Sequence, residues 1–239
     1  MAISLKNGYF GTPPMITKGL ILLLDPGNSN CFVPGEDTCV NLVTGGLVTG
    51  ANGTPLGATH TPLASNFPEY NSLNGGIFDF VGGKGMNCDE DLGRRLTTTL
   101  SMWIYKNGTP TEYITDARND GGQWYLSNYS SYNITYTNAM TYNFEDPYSA
   151  SATDFIGKWM QLVVTSDAVS SKLYINGVLT IGGARTSIDE DFGKNFRIGT
   201  RYTTTGEWTG YMGPILAYDR VLSQKEISQN YRSHLNRFR

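Results

Sequence analysis

The stretch KLYINGVLT, residues 172–180, restricts the fold of this chain more than any other. Asn176-Gly177 stands between two apolar runs, and both residues tolerate a positive φ, so the segment predicts a tight antiparallel hairpin. The preceding segments have the matching period. In TLSMWIYK, alternation puts Leu100, Met102 and Ile104 on one face and Trp103 and Tyr105 on the other. WMQLVVTSD does the same, with Met160, Leu162 and Val164 opposite Trp159, Gln161 and Val163. FRIGTR reads as a further strand ending at Gly199, and Ile77, Phe78 and Phe80 mark another. Leu20 to Leu24 is an unbroken apolar run bounded by Gly19 and Pro26, which suits a strand buried on both faces. Residues 44–76, rich in Gly, Thr, Asn and Pro, read mostly as loops. Short strands separated by turns, with no long helix before Ser223, predict an all-β chain of two antiparallel sheets packed face to face.

A length of 239 residues suits one such sandwich with a full core. Its 28 Gly and 15 Tyr favour strands and turns. A net charge of −3 without a basic patch argues against nucleic acid and anionic membrane as partners. No apolar run reaches the length of a membrane helix. MAISLKNGYFGTPP has no signal-peptide core, so synthesis and retention in a cytosol are expected until something releases the protein. Cys31, Cys39 and Cys88 are an odd set, expected as free thiols; a Cys31–Cys39 bridge is the alternative.

The C-terminal end is signalled sharply. Ser223 and Glu226 have the spacing of a capping box, and Leu222 and Ile227 that of a hydrophobic staple. Ile227, Tyr231 and Leu235 recur every four residues as one packing face, so the helix is expected to dock. Arg232, Arg237 and Arg239 are placed to complement its C-terminal dipole. Residues 1–18, with Gly8, Gly11, Pro13 and Pro14, read as an extended arm before a domain at 19–239.

The usual hydrolytic constellations are missing. His60 and His234 stand in unrelated contexts, and no nucleophile-elbow or phosphate-loop motif occurs. Glycoside hydrolysis needs two carboxylates facing one cleft. The acidic runs Asp89–Asp91 and Asp189–Asp191 are consecutive and Gly-flanked, as solvated loops are.

The ending GYMGPILAYDRVLSQKEISQNY resembles the closing strand and helix of concanavalin A-like, laminin-G-like jelly rolls. It matches through Gly210, Tyr218, Asp219, Arg220, Leu222, Ser223, Glu226 and Ile227. LYINGVLT and KWMQLVVTSD resemble that family's hairpin and central strand. GLILLLDPGNSNCFVPG, NLVTGG, NGGIFDFVGG and the final NYRSHLNRF resemble a narrower subset, jelly rolls of tailed-bacteriophage structural proteins. The resemblance spans most of residues 19–238. It implies a two-sheet β-sandwich with a short C-terminal helix, acting as a non-enzymatic virion component that decorates the capsid or belongs to the tail or fibre. Many members carry acids where Val81 and Gly213 stand here, so calcium or hydrolytic roles tied to those acids do not transfer, and no cofactor or metal is expected. Asp25 matches the Asp of the opening Leu-Asp pair and is expected to hold its own turn.

QWYLSNYSSYNITYTNAMTYNFEDPY sets Trp124, Tyr125, Tyr129, Tyr132, Tyr136, Tyr142 and Tyr148 among Asn, Ser and Thr. Such rings can stack on sugars while the amides and hydroxyls meet sugar hydroxyls. They equally suit a solvated sheet face or a protein contact. Trp124, Tyr125, Tyr129, Tyr132, Tyr136 and Trp208 are the candidate glycan- or partner-binding residues. Ile3, Leu5, Tyr9 and Phe10 are the candidate anchors by which the arm docks on other virion proteins, which would make the domain multicopy or homo-oligomeric on a particle. Host-surface polysaccharide is the other expected partner. A free lectin domain, and after it a glycoside hydrolase on the same fold, are the alternatives.

Overall fold

The computed structural model describes residues 13–50, 66–88, 92–107, 112–117, 124–129, 133–138, 141–143, 156–184, 190–191, 196–201 and 206–239. In chain order the strands are β1 (Leu20–Leu24), β2 (Thr38–Val40), β3 (Leu47–Gly50), β4 (Glu69–Asn71), β5 (Ile77–Asp79) and β6 (Met86–Cys88). Next come β7 (Arg94–Arg95), β8 (Thr98–Lys106), β9 (Glu112–Asp116), β10 (Trp124–Tyr129), β11 (Asn133–Asn138) and β12 (Thr141–Asn143). Last are β13 (Trp159–Ser166), β14 (Ser170–Ile175), β15 (Val178–Ala184), β16 (Glu190–Asp191), β17 (Phe196–Ile198) and β18 (Gly210–Tyr218), followed by the helix α1 (Gln224–His234).

The strands form two antiparallel sheets stacked as a sandwich. The first runs β15-β14-β13-β8-β18-β5-β4, with β1 also on β18; the second runs β12-β11-β10-β9-β17-β6-β3-β2. β7 and β16 make a separate two-stranded ribbon. The alternation read from the sequence sets the layers. Leu100, Met102, Ile104, Met160, Leu162 and Val164 from the first sheet share one core with Met86, Cys88, Ile114, Leu126, Phe196 and Ile198 from the second. At the β14–β15 hairpin, Asn176 and Gly177 have φ of 52° and 78°, the left-handed pair that the turn demands. Residues 44–76 are not all loop, since β3 and β4 lie within them; three- and four-residue strands are too short to show a period.

The predicted capping box is present. Ser223 Oγ accepts from the Glu226 backbone N–H, while Glu226 Oε2 accepts from the Ser223 N–H at 2.8 Å. Ser223→Ala should lower stability by about 1 kcal/mol, read as a shift in the urea midpoint. Leu222 and Ile227 are both buried in one cluster with Leu20, Leu23, Val163, Leu216 and Tyr218. The rest of the expected face packs elsewhere: Tyr231 and Leu235 lie against Trp103 and Phe238. Trp103 stacks on Tyr231 at 5.5 Å and on Phe238 at 4.6 Å between ring centroids. Gly213 permits this, because a Cβ there would stand 2.5 Å from the Phe238 ring. Phe238 thus fills the space beside Gly213. The following Pro214 falls where the β18–β8 register shifts, a bulge that tolerates a residue without an N–H.

Glu226 also receives both Arg220 guanidinium nitrogens, at 2.6 and 3.1 Å. These bonds, with those from Ser223, hold its carboxyl at about 2. A depressed carboxylate stabilises the fold above its unfolded value, and that contribution is lost as pH falls through the folded one. The stability gap between wild type and Glu226→Gln should therefore be full at neutral pH and close between about 4.5 and about 2. A gap constant across pH 2–7 in thermal melts would count against this pairing.

The arm boundary at residue 18 needs correction. Residues 13–18 lie on the domain itself. Ile16 N–H donates to Asn230 Oδ1 at 2.8 Å, the Tyr218 hydroxyl donates to Ile16 O at 2.9 Å, and Gln229 Nε2 donates to Pro14 O at 2.7 Å. Met15 and Ile16 pack on the cluster beneath α1. Asn230 gains its hold because it is buried and its Nδ2 also donates to the Tyr218 hydroxyl. Ile3, Leu5, Tyr9 and Phe10 lie outside the described residues.

Two motifs of the sequence resemblance acquire physical roles here. In NLVTGG, buried Asn41 brackets β1, accepting from Leu23 N–H and donating to Ile21 O, both at 3.0 Å. In NYRSHLNRF, Arg237 does more than complement a helix dipole: Nη1 pairs with Asp25 at 2.9 Å, and the other nitrogens donate to Asn74 O and Gly76 O. The opening and the ending of the domain are thereby locked to each other.

Candidate functional site

The second sheet turns one face inward, through Cys88, Phe196, Ile198, Met86 and Leu126. Its other face carries a polar row. Thr49, Asn87, Arg197, Asp116 and Tyr125 are consecutive cross-strand partners on β3, β6, β17, β9 and β10. Asn87 and Asp116 are 0% exposed and Arg197 1%, although they lie on the side away from the core. Opposite charges directly across a strand pair stabilise the register. Ser127 pairs with Tyr113 in the adjoining row, and the Arg201 guanidinium stands 4.7 Å over the Tyr113 ring. Ser127 Oγ is buried and has no hydrogen-bond partner among the described residues. The enclosed amide, guanidinium and carboxylate groups of this strip brace the sheet rather than meet a ligand.

The tyrosine-rich stretch builds the edge of this sheet. Trp124, Tyr125 and Tyr129 are on β10, Tyr136 on β11 and Tyr142 on β12. The register sets Tyr136 opposite both Leu126 and Tyr142, and Tyr125 opposite Thr137. Tyr132 and Tyr148 lie outside the described residues. The backbone thus brings most of the predicted aromatic set to three neighbouring strands beside the polar row.

Trp208 does not belong to that set. It is fully buried in the core, its backbone N–H donates to Gly199 O at 2.8 Å, and Lys106 Nζ lies 5.0 Å over its ring. A ring enclosed in this way cannot stack on a sugar, so the predicted binding role is withdrawn. Lys106 itself continues the inward face of β8 and reaches Glu112 of the other sheet at 2.8 Å, with both side chains nearly inaccessible. Burial pushes the Lys106 ammonium down, and Glu112 opposes that shift.

The acids read from the sequence fall into structural places where they are described. Asp25 Oδ1 accepts from Gly27 N–H at 3.0 Å, the expected turn, and pairs with Arg237. Asp89–Asp91, Asp189 and His60 lie outside the described residues. Among the described residues no three His, Cys, Asp or Glu side chains come together as a metal site. Cys31, Cys39 and Cys88 are free thiols buried in the core. Among the described residues no helix is long and apolar enough to cross a membrane.

A family model described as the concanavalin A-like lectin/glucanases superfamily matches residues 86–228. No curated protein matches the chain. Among solved structures, domain 4 of AbnA, a GH43 extracellular arabinanase from Geobacillus stearothermophilus solved with arabinotriose, aligns with a TM-score of 0.63 and 14% identity. That alignment covers 89% of this chain and 98% of that one. The botulinum neurotoxin serotype D binding domain gives 0.62 and 17%, over 89% of this chain and 51% of its own. Trypanosoma rangeli sialidase, solved with the inhibitor DANA, gives 0.61 and 15%, over 92% and 35%. This chain therefore spans about half of the toxin domain and about a third of the sialidase. At such identities the likeness is one of fold, and the fold serves receptor-binding domains and enzymes alike. With the matched segment covering more than half of its length, the chain belongs to the concanavalin A-like lectin/glucanase superfamily.

Proposed function

We propose that this protein is a non-enzymatic structural component of a bacteriophage virion, on the capsid or the tail, made in the host cytoplasm and carried on the particle. The observation that carries this reading is the interlock between the two segments resembling phage jelly rolls. β1 pairs with β18, and Arg237 of the ending ties down Asp25 of the opening. Those motifs are the closure of the domain. The non-enzymatic part is supported by the employment of Glu112, Glu226 and Asp25 in ion pairs with Lys106, Arg220 and Arg237.

Residues 1–12 are the proposed link to a neighbouring virion subunit, since 13–18 are already engaged by the domain. Deleting 1–12 should abolish incorporation into particles while the melting temperature stays unchanged. Unimpaired incorporation of the truncated protein would contradict the linking role.

Host-surface glycan is the proposed ligand of the tyrosine-rich edge beside the buried polar row. Weak binding is enough on a particle: a Kd near 1 mM is only about −4 kcal/mol, yet many copies raise avidity by about 10²–10⁴. The second reading, a free carbohydrate-binding domain, is favoured by one observation, the alignment over nearly all of an arabinanase domain solved with arabinotriose.

A further inference from the structure

The outer face of the first sheet is only partly covered by α1 and the residues after it. Ile227 lies over Val163, Leu216 and Tyr218, and Tyr231 and Phe238 lie over Trp103. Beside Phe238 stand three further rings. Trp159, Tyr105 and Tyr211 are direct cross-strand partners on β13, β8 and β18. Their centroids are 5.6, 5.5 and 6.4 Å apart, a compact triangle, and Phe238 braces Trp159 from one side at 4.6 Å. All three rings are half-buried. The Tyr105 and Tyr211 hydroxyls and the Trp159 indole N–H make no hydrogen bond among the described residues, and none is sealed from solvent.

We propose that this triangle is a second ligand site, distinct from the second sheet's tyrosine-rich edge, and that it takes a neutral hexopyranose chain. Each ring joins an apolar surface to an unbonded polar tip. That combination suits a molecule with C–H faces and hydroxyl rims better than a lipid or an apolar protein helix. The surroundings select against negative charge. Tyr211 pairs with Asp79 and Asp79 with Glu69 in the same row of strands, which sets carboxylates at one end of the patch. Lys84 neutralises Glu69 at 2.7 Å, and Asp79 has no described cation bonded to it. Tilted rings braced by Phe238 are preorganised, so little ordering cost falls on binding. The inference stands independently of the virion reading, since it concerns this face alone.

Affinity electrophoresis of the full chain through gels containing dextran, mannan or laminarin, with polygalacturonate as the charged control, tests it. At least one neutral polymer should retard the protein, and Trp159→Ala should abolish the retardation. Tyr105→Phe and Tyr211→Phe keep every ring and should weaken it about two- to ten-fold, the loss expected for one neutral hydrogen bond. Leu47→Ala, at an exposed position on β3 of the other sheet, should leave it unchanged. The proposal is overturned by no retardation in any neutral gel, by stronger retardation in polygalacturonate, or by full retardation in both Tyr→Phe variants. Loss in Tyr125→Ala alone would also overturn it, moving the ligand to the second sheet. Concentration-dependent dimerisation abolished by Trp159→Ala would overturn it too, by making a second copy the occupant. Retardation by a neutral gel together with absence from virions would sink the virion reading and leave this site in place.

Discussion

Glu112→Ala should lower the unfolding free energy by about 3–5 kcal/mol, as expected when one partner of a buried ion pair is removed. Lys106 would be left with its ammonium 0% exposed, 5.0 Å over the Trp208 ring, and without the Glu112 carboxylate that offsets its desolvation. Such a lysine sheds its proton rather than carry a charge. Burial already pushes Lys106 down, and Glu112 is what opposes that shift. The variant should therefore be most destabilised at low pH, where the ammonium is enforced, and should recover as pH rises. Denaturant melts at several pH values would measure this. The double change Lys106→Met with Glu112→Leu should recover most of the loss, because apolar groups of similar size make no charge to satisfy. A loss below about 1 kcal/mol for Glu112→Ala would mean that water reaches this pair.

Trp103→Ala should cost a comparable amount, about 3–5 kcal/mol, from lost transfer energy and the cavity left behind. Its ring is buried and stacked between Tyr231 and Phe238. The loss should also free the residues after α1, since Phe238 has its main ring contacts with Trp103 and Trp159. Limited proteolysis should then cut after α1 in the variant and not in wild type. Gly213→Val attacks the same junction from β18, where a Cβ meets Phe238 at 2.5 Å and Trp103 at 3.1 Å.

What was legible in the sequence was local. The Asn176-Gly177 hairpin, the Ser223/Glu226 cap and the inward and outward residues of β8 and β13 depend on neighbours within a few positions. They fall where period and turn chemistry put them. What was not legible depends on partners far along the chain. Ile16 is held by Asn230, 214 residues away, so residues 13–18 looked like a free arm. Trp208 resembles an exposed loop aromatic until β8 brings Lys106 over it. The polar row was hidden for the same reason. Arg197 between Phe196 and Ile198, and Asp116 after Thr115, are ordinary outward positions until the register pairs them. The aromatic triangle was half visible, because alternation had already placed Tyr105 and Trp159 away from the core. Only the pairing of three strands joined Tyr211 to them.

The proposed placement on a particle can be counted directly. Quantitative mass spectrometry of purified, nuclease-treated virions should find the protein at a fixed ratio to the major capsid subunit, unchanged through a density gradient and a high-salt wash. Its absence from particles, or a ratio that falls with each wash while the free protein remains in the lysate, would contradict the virion assignment.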